Sequence, residues 1–483
     1  MSLAERTVSS VSWNIGANLI KIGVLFARSV LLARLLPIEA FGVYTLATSI
    51  VTFSGILPNF GMGGAFLHRA PETADEDRAA AVFFTLRCFL TLLWIGIMAV
   101  AAILFSSGPL RLALIVMALT YGGLYIVDVQ RLVQVRRVQH RRLALLDLQT
   151  AILTTVVAVV LARRGYGLTA LLATDVVTVL LGVIALYLWR PAWRPRLVWA
   201  GDGFGAAARY YFRFGSRSMA ESALGESLDN VDDIYTGAAL GNQALGFYSR
   251  AYTFATYPRR ILAFPVNVVA GGTYAELKGE RLALSQAFFR TNALLVRSGF
   301  LLGGGLILVA PEFIRLALGD RWLPMLPAFR LLAVFTLLDP IRVTVSQVFV
   351  AVGRVGPVVR VRMVQLAAML AGLFWLGRLW GIVGVATVVD VVLLVGLIPL
   401  LIMARAIVDF SARRLFGPPL VALPAGMAAG LGAGWAVCQT GLCPNDWLTG
   451  AAKGVAFVAV FAAVLYGLER RQLMEMIGRL RAA

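Results

Sequence analysis

The sequence predicts an all-α integral membrane protein of about fourteen transmembrane helices, with no soluble domain of any size. Three observations carry that prediction. Charged residues make up only 14% of the 483 and apolar residues 59%, whereas a soluble domain has about 25% charged residues with which to coat its surface. Apolar runs of spanning length, about 20 residues each, recur from end to end between short charged or Gly- and Pro-rich breaks. Lys and Arg then fall in alternate breaks, which gives the net charge of +19 a topological reading in place of a nucleic-acid partner.

Taken in order, the expected spans are 11–33, 41–64, 80–105, 109–129, 146–162, 167–189, 214–238, 244–272, 286–310, 326–350, 357–376, 380–403, 418–438 and 447–467. The first is read as a permanent span and not a signal peptide, because Lys21 and Arg28 interrupt it and no small-residue cleavage site follows. Pro58, Pro258, Pro265, Pro399 and Pro424 lie inside spans, which lipid tolerates when neighbouring helices satisfy the freed backbone groups. The tails and the even-numbered loops hold most of the positive charge: Arg131, Arg136, Arg137, Arg141 and Arg142 in one loop, then Arg190, Arg194, Arg196, Arg209, Arg213 and Arg217 around the next. Both termini are therefore expected in the cytoplasm, and the number of spans is expected to be even.

An internal repeat organises the spans. Leu36-Pro37-Ile38-Glu39-Ala40-Phe41-Gly42-Val43-Tyr44 echoes Leu240-Gly241-Asn242-Gln243-Ala244-Leu245-Gly246-Phe247-Tyr248 at an offset of about 204 residues, and Phe83-Phe84 meets Phe288-Phe289 at nearly the same offset. Six spans separate the copies, so the halves point the same way, as a parallel repeat with a central site. The expected divisions are 1–200 and 201–410, each a six-helix lobe, and 411–483, two further spans with a basic cytoplasmic tail. Gly426, Gly430 and Gly434 on the thirteenth span, and Gly450 and Gly454 on the fourteenth, space as helix-packing stripes or as a groove for lipid or a partner. Cys438 and Cys443 flank a loop expected outside, where they can pair or stay thiols.

These stretches resemble a known family. Leu32-Ala33-Arg34-Leu35-Leu36-Pro37 with Phe41-Gly42 is similar to the first-loop signature of the polysaccharide-transporter (lipopolysaccharide flippase) family, within the superfamily of multidrug and oligosaccharidyl-lipid exporters. Asp232-Asp233-Ile234-Tyr235-Thr236-Gly237, Ala244-Leu245-Gly246-Phe247-Tyr248-Ser249-Arg250-Ala251-Tyr252, Leu318-Gly319-Asp320-Arg321-Trp322-Leu323-Pro324 and Ala351-Val352-Gly353-Arg354 look like later signatures. The resemblance covers most of residues 10–400. Asp233 stands where the family often has Asn, and Ala238 where it often has a basic residue. The resemblance implies two six-helix bundles in a V around a cleft, alternating between inward- and outward-open states. It also implies undecaprenyl-pyrophosphate-linked oligosaccharides as substrates.

Charge at bilayer depth costs a few kcal/mol, roughly 2.5–3.5 per residue on insertion scales, so it marks a cavity or a partner. In the first span Asn14, Asn18, Lys21 and Arg28 share an arc of roughly 80°. Lys21 and Arg28 are candidates for holding a pyrophosphate, the Arg as a forked donor and the Lys as a point charge, with Arg260 and Arg297 behind them. The alternative is that these bases neutralise the carboxylates of the seventh span or snorkel to an interface. That seventh span carries Glu221, Glu226, Asp229, Asp232 and Asp233 within roughly 140°. Asp229, Asp232 and Asp233 are candidates for coupling or gating through a proton or sodium ion, against an alternative of structural ion pairing. Arg250 joins Thr253, Tyr257 and Arg260 on one face of the eighth span, with Arg259 opposite, and the repeat offset carries Arg28 onto Asp232 as a gating pair. Asp75-Glu76-Asp77 contains a metal-type DxD but sits where Thr73 and Glu76 make a capping box.

No cofactor is expected. The expected partners are the lipid-linked oligosaccharide, membrane lipids and, as a candidate, a polysaccharide polymerase. Three competitors share the composition: a membrane polymerase or ligase for the same sugars, a multidrug-type exporter and a lipid II exporter. The longest exterior loop, 311–325, offers only Glu312, Asp320 and two arginines, which is thin for an enzyme, and a basic first span suits anionic head groups better than cationic drugs.

Overall fold

The computed structural model describes residues 3–68, 76–137, 140–199, 204–440 and 445–481. Among them there is no β-strand, and nine helical stretches are long and apolar enough to cross a membrane. The protein is an all-α, multi-pass membrane protein. Its helices are α1 (Leu3–Leu35), α2 (Ile38–Ser54), α3 (Ile56–Asn59), α4 (Met62–His68), α5 (Glu76–Phe105), α6 (Gly108–Arg136), α7 (His140–Arg163), α8 (Leu168–Val183), α9 (Phe204–Tyr235), α10 (Asn242–Ala255), α11 (Tyr257–Glu276), α12 (Arg281–Phe313), α13 (Leu326–Ala351), α14 (Gly356–Gly372), α15 (Arg378–Ala404), α16 (Ala412–Gln439) and α17 (Asp446–Arg481).

The boundaries follow local chemistry. Extended Pro37 (φ −65°, ψ 150°) starts α2, and its fixed φ suits a helix entry. Glu76 and Asp77 open α5, where acids favour the positive end of the helix, and they bind Arg137 at 3.0 and 3.2 Å. Thr73 and Asp75, on which the capping box and the DxD depend, lie outside the described residues. Two expected spans are not single helices. The second breaks at Gly55 and again at Phe60, whose φ of 40° is left-handed, and the eighth breaks at Thr256 between α10 and α11. Each break sits within three residues of a proline, Pro58 or Pro258, and a neighbouring helix tends each one. Arg87 of α5 donates to the carbonyls of Pro58 and Asn59 at 3.2 and 3.1 Å, and Thr336 of α13 donates to the carbonyl of Ala255 at 2.6 Å. Lipid supplies no donors to broken backbone, so these side chains are needed.

The chain forms two compact units, Met1–Gly246 and Phe247–Ala483. In the first, α1 packs on α7, α7 on α8, α8 and α2 on α6, and α9 on α2 and α4. The first repeat segment is a close-contact point: a Cβ added to Gly42 would lie 1.7 Å from the carbonyl oxygen of Asn242, and one added to Gly246 would lie 2.3 Å from that of Ile38. The repeat offset of about 204 residues carries one of these contacts onto the other.

In the second unit α13 is the centre, packed on α11, α12 and α15, while α16 and α17 form a hairpin against α12. The glycine stripe serves packing. Cβ atoms at Gly426 and Gly434 would meet Phe457 at 2.9 Å and Lys453 at 2.5 Å, both on α17. Arg297 and Glu469 pair through two hydrogen bonds, one of 2.7 Å, and Lys453 meets Glu312 at 2.6 Å. Cys438 is disulfide-bonded, Cys443 lies outside the described residues, and Cys88 is a free thiol.

Candidate functional site

The polar stripe of α1 faces α7. Lys21 Nζ lies 3.2 Å from Asp147 Oδ2, and Arg28 Nη1 donates to Thr154 Oγ1 at 3.2 Å. The two contacts are seven residues apart on both helices, so α1 and α7 run in the same direction, in register over two turns. The counterion of Lys21 is thus on the fifth expected span, not among the carboxylates of the seventh. Asp147 also accepts from Arg131 of α6, Nη2 to Oδ1 at 2.7 Å. Arg28 acts electrostatically on Asp175 of α8, which accepts from the Tyr44 hydroxyl at 3.2 Å. Asn18 is half-buried beside this stripe; the side chain of Asn14 lies outside the described residues.

The acidic face of α9 meets α2 through small hydroxyls. Ser49 donates to Asp233 Oδ2 at 3.1 Å. Thr52 donates to Asn230 Oδ1 at 2.9 Å, and the Asn230 amide donates to Glu226 Oε2 at 3.1 Å. Asp232 is buried and Asp229 exposed. The side chain of Glu221 lies outside the described residues.

Between α2, α3, α5, α6 and α9 lies a cavity of about 450 Å³, whose lining includes Asn59, Arg87, Tyr125, Asp128, Arg131 and Glu226. Gly55, Ile56, Asn59 and Gly61 of its lining lie where the second span is broken. Arg87 is 1% exposed, donates to Asn59 Oδ1 at 2.8 Å, stands 3.5 Å from Asp128 and stacks on the Tyr125 ring at 5.2 Å. Burying a guanidinium is tolerable only when its donors are so employed. Sequence reasoning missed Arg87, Asp128, Arg131 and Asp147. The signal was present, since Arg87 is a lone charge inside an apolar run.

The second unit uses its cations differently. Arg259, set aside as pointing the other way, bonds Asp339 at 2.8 Å, as does Arg342, and Asp339 is fully buried. The expected continuous face from Arg250 to Arg260 is interrupted by the break at Thr256: Arg250 is half-buried on α10, while Arg260 is exposed on α11 over the Tyr257 ring at 5.4 Å. Arg297 is engaged with Glu469 and serves the α12–α17 contact in this conformation. Among the described residues no cluster of His, Cys, Asp and Glu could hold a metal ion.

This architecture and sequence have known counterparts. The fold is similar to the lipid II flippase MurJ in an inward closed conformation, with a TM-score of 0.75, 11% identity, and 96% of this chain and 100% of that one covered. An inward-facing multidrug resistance MATE family transporter follows, with a TM-score of 0.56, 15% identity and coverage of 82% and 98%. By sequence, the chain is 23% identical to the lipopolysaccharide biosynthesis protein WzxC of Escherichia coli over 74% of this chain and 72% of that one. It is 26% identical to the succinoglycan biosynthesis transport protein ExoT of Rhizobium meliloti over 68% and 66%, and 23% identical to the teichuronic acid biosynthesis protein TuaB of Bacillus subtilis over 73% of each. The model of one family, described as polysaccharide biosynthesis protein, matches residues 31–327. With a charge-lined cavity set among membrane helices and that match spanning more than half its length, the chain belongs to the polysaccharide biosynthesis protein family.

Proposed function

We propose that this chain is a flippase, not an enzyme, which moves undecaprenyl-pyrophosphate-linked oligosaccharide repeat units from the cytoplasmic to the outer leaflet of a bacterial inner membrane by alternating access. The observation that carries the reading is the charged cavity at the broken second span. Irregular backbone at membrane depth occurs where it lines a polar site, and interrupted helices are the usual mark of a transporter's binding region. A hydrophilic glycan with a diphosphate needs a wet path and cations across about 30 Å of hydrocarbon; Arg131 lines the cavity, Lys21 shares Asp147 with it, and Arg28 follows Lys21 along the same face of α1. The names of the relatives, a lipopolysaccharide protein and a succinoglycan transport protein, agree with such a cargo.

Within this reading Asn14, Asn18, Lys21 and Arg28 contact the substrate on one side, with Arg260 and Arg297 recruited in other conformations. Asp229, Asp232, Asp233 and Arg250 respond to a coupling proton or sodium ion. Both termini are cytoplasmic, and a polymerase consuming the flipped units is the expected protein partner. The test is the leaflet in which undecaprenyl-pyrophosphate oligosaccharide accumulates, in cells lacking the gene and in cells carrying Lys21→Ala with Arg28→Ala. Trapping on the cytoplasmic side with loss of surface polysaccharide is expected in both. Normal flipping with unpolymerised units outside would overturn the reading in favour of a polymerase or ligase.

A further inference from the structure

Asp147 holds two cations from two other helices, one on each carboxylate oxygen: Arg131 of α6 on Oδ1 and Lys21 of α1 on Oδ2. All three side chains are about one-third exposed, at 31–33%. The trio carries one net positive charge, and Arg131 also lines the cavity. Arg87, the neighbouring cation of that lining, is immobilised by backbone carbonyls, Asn59 and Asp128. Arg131 is held by a carboxylate that reaches solvent.

We infer that Lys21, Arg131 and Asp147 form a counterion-exchange site for the diphosphate of a lipid-linked substrate: Asp147 keeps the two cations together in the empty protein and yields them when a diphosphate enters. The inference rests on the flippase reading and deepens it by assigning Arg131 as a substrate cation and Asp147 as its internal competitor. A carboxylate offers two oxygens and one charge. A diphosphate offers more of both, and a guanidinium grips it by parallel hydrogen bonds, so the diphosphate wins the exchange. Partial exposure keeps the exchange inexpensive, since an ion pair weakens as it is exposed and a fully buried one is hard to break. The exchange has a mechanical consequence. Once Lys21 leaves Asp147, α1 loses one of its polar links to α7 while Arg28 on Thr154 remains, so substrate entry loosens the first helix.

The test uses the full chain in neutral phosphatidylcholine nanodiscs and measures binding of undecaprenyl diphosphate, with undecaprenol, inorganic pyrophosphate and phosphatidylglycerol as comparison ligands. Lys21→Gln and Arg131→Gln should each weaken binding of the lipid diphosphate about tenfold. Asp147→Asn should tighten it about two- to fivefold, because the competitor is gone, and Asp147→Glu should stay near the parent. A purely structural Asp147 predicts unchanged or weaker binding in Asp147→Asn, and that result would overturn the exchange. If Asp147→Asn does not fold, Arg131→Lys decides: it keeps the pair with Asp147 but loses the fork, so undiminished binding overturns the assignment of Arg131. If the parent binds the lipid diphosphate and no variant shifts it, the exchange site is wrong and the flippase reading stands. If the parent binds it no better than undecaprenol, the substrate class fails together with the site. Equal competition by phosphatidylglycerol would identify an ambient lipid head group as the occupant and overturn the substrate assignment, and competition by inorganic pyrophosphate alone would overturn the lipid requirement.

Discussion

Gly42 and Gly246 are positions at which one carbon atom changes the sign of a stability effect. A glycine inside a helix ordinarily costs about 0.5–1 kcal/mol relative to alanine, so Gly→Ala should help wherever there is room. At Gly432, in α16, an added Cβ meets nothing within 4 Å. At Gly42 it would lie 1.7 Å from the Asn242 carbonyl oxygen, and backbone cannot rotate away as a side chain can. Overpacking costs about 1–3 kcal/mol, which exceeds the helical gain. Gly42→Ala should therefore lower the unfolding temperature in detergent, while Gly432→Ala should leave it unchanged or raise it slightly. Equal effects at both positions would remove the steric account. Arg87 makes the same point with charge: it is a buried cation whose role is to satisfy the broken end of the second span.

Between elements, pairing of opposite charges fixes register. Along α12 the order is Arg297 then Glu312, and along α17 it is Lys453 then Glu469. The observed antiparallel contact joins Arg297 to Glu469 and Glu312 to Lys453. A parallel contact would have set like charges against each other, so the four residues exclude it as well as stabilise the alternative. Glu469→Gln should destabilise the protein by about 3–5 kcal/mol, because it strands the Arg297 charge in a largely buried site. Replacing both partners together, Arg297→Met with Glu469→Leu, should cost much less, since the pair's attraction is largely offset by desolvation. A thermal-unfolding double-mutant cycle checks this, and a double variant as unstable as Glu469→Gln alone would show that the pair does not act as a unit. The α16–α17 hairpin is thus docked onto α12 by charge as well as by its glycines.

At the level of the whole molecule, the distribution of Lys and Arg sets orientation. Ser107, in the third expected loop, should face outward, and Arg194, in the sixth, should face the cytoplasm. In a background with Cys88, Cys438 and Cys443 replaced, Ser107→Cys should react with an impermeant thiol reagent in intact cells. Arg194→Cys should react only after permeabilisation. The reverse pattern would invert the topology and with it the direction assigned to transport. Parallel packing of α1 on α7 agrees with the three expected spans between them, an odd number, since Lys21–Asp147 and Arg28–Thr154 advance together.

Composition and period were enough for the solvent and the element type, because a bilayer accepts long apolar runs in one form, the internally bonded helix. Pro58 and Pro258 were read, with Pro265, Pro399 and Pro424, as tolerated inside spans, and packing decided that the helix breaks beside the first two; the repeat paired the segments of Gly42 and Gly246 before their contacts with Asn242 and Ile38 were visible. Partner identity was not legible. Helical phase placed Lys21 and Arg28 on one face, but a helix phase is a direction without a neighbour, and the neighbour proved to be α7, with Asp147 and Thr154. For the same reason Arg259 looked misdirected until α13 brought Asp339 to it, and Arg297 looked available until α17 brought Glu469. Local chemistry therefore specifies which residues lipid cannot leave alone, and packing, which depends on every helix at once, selects the counterion each of them receives.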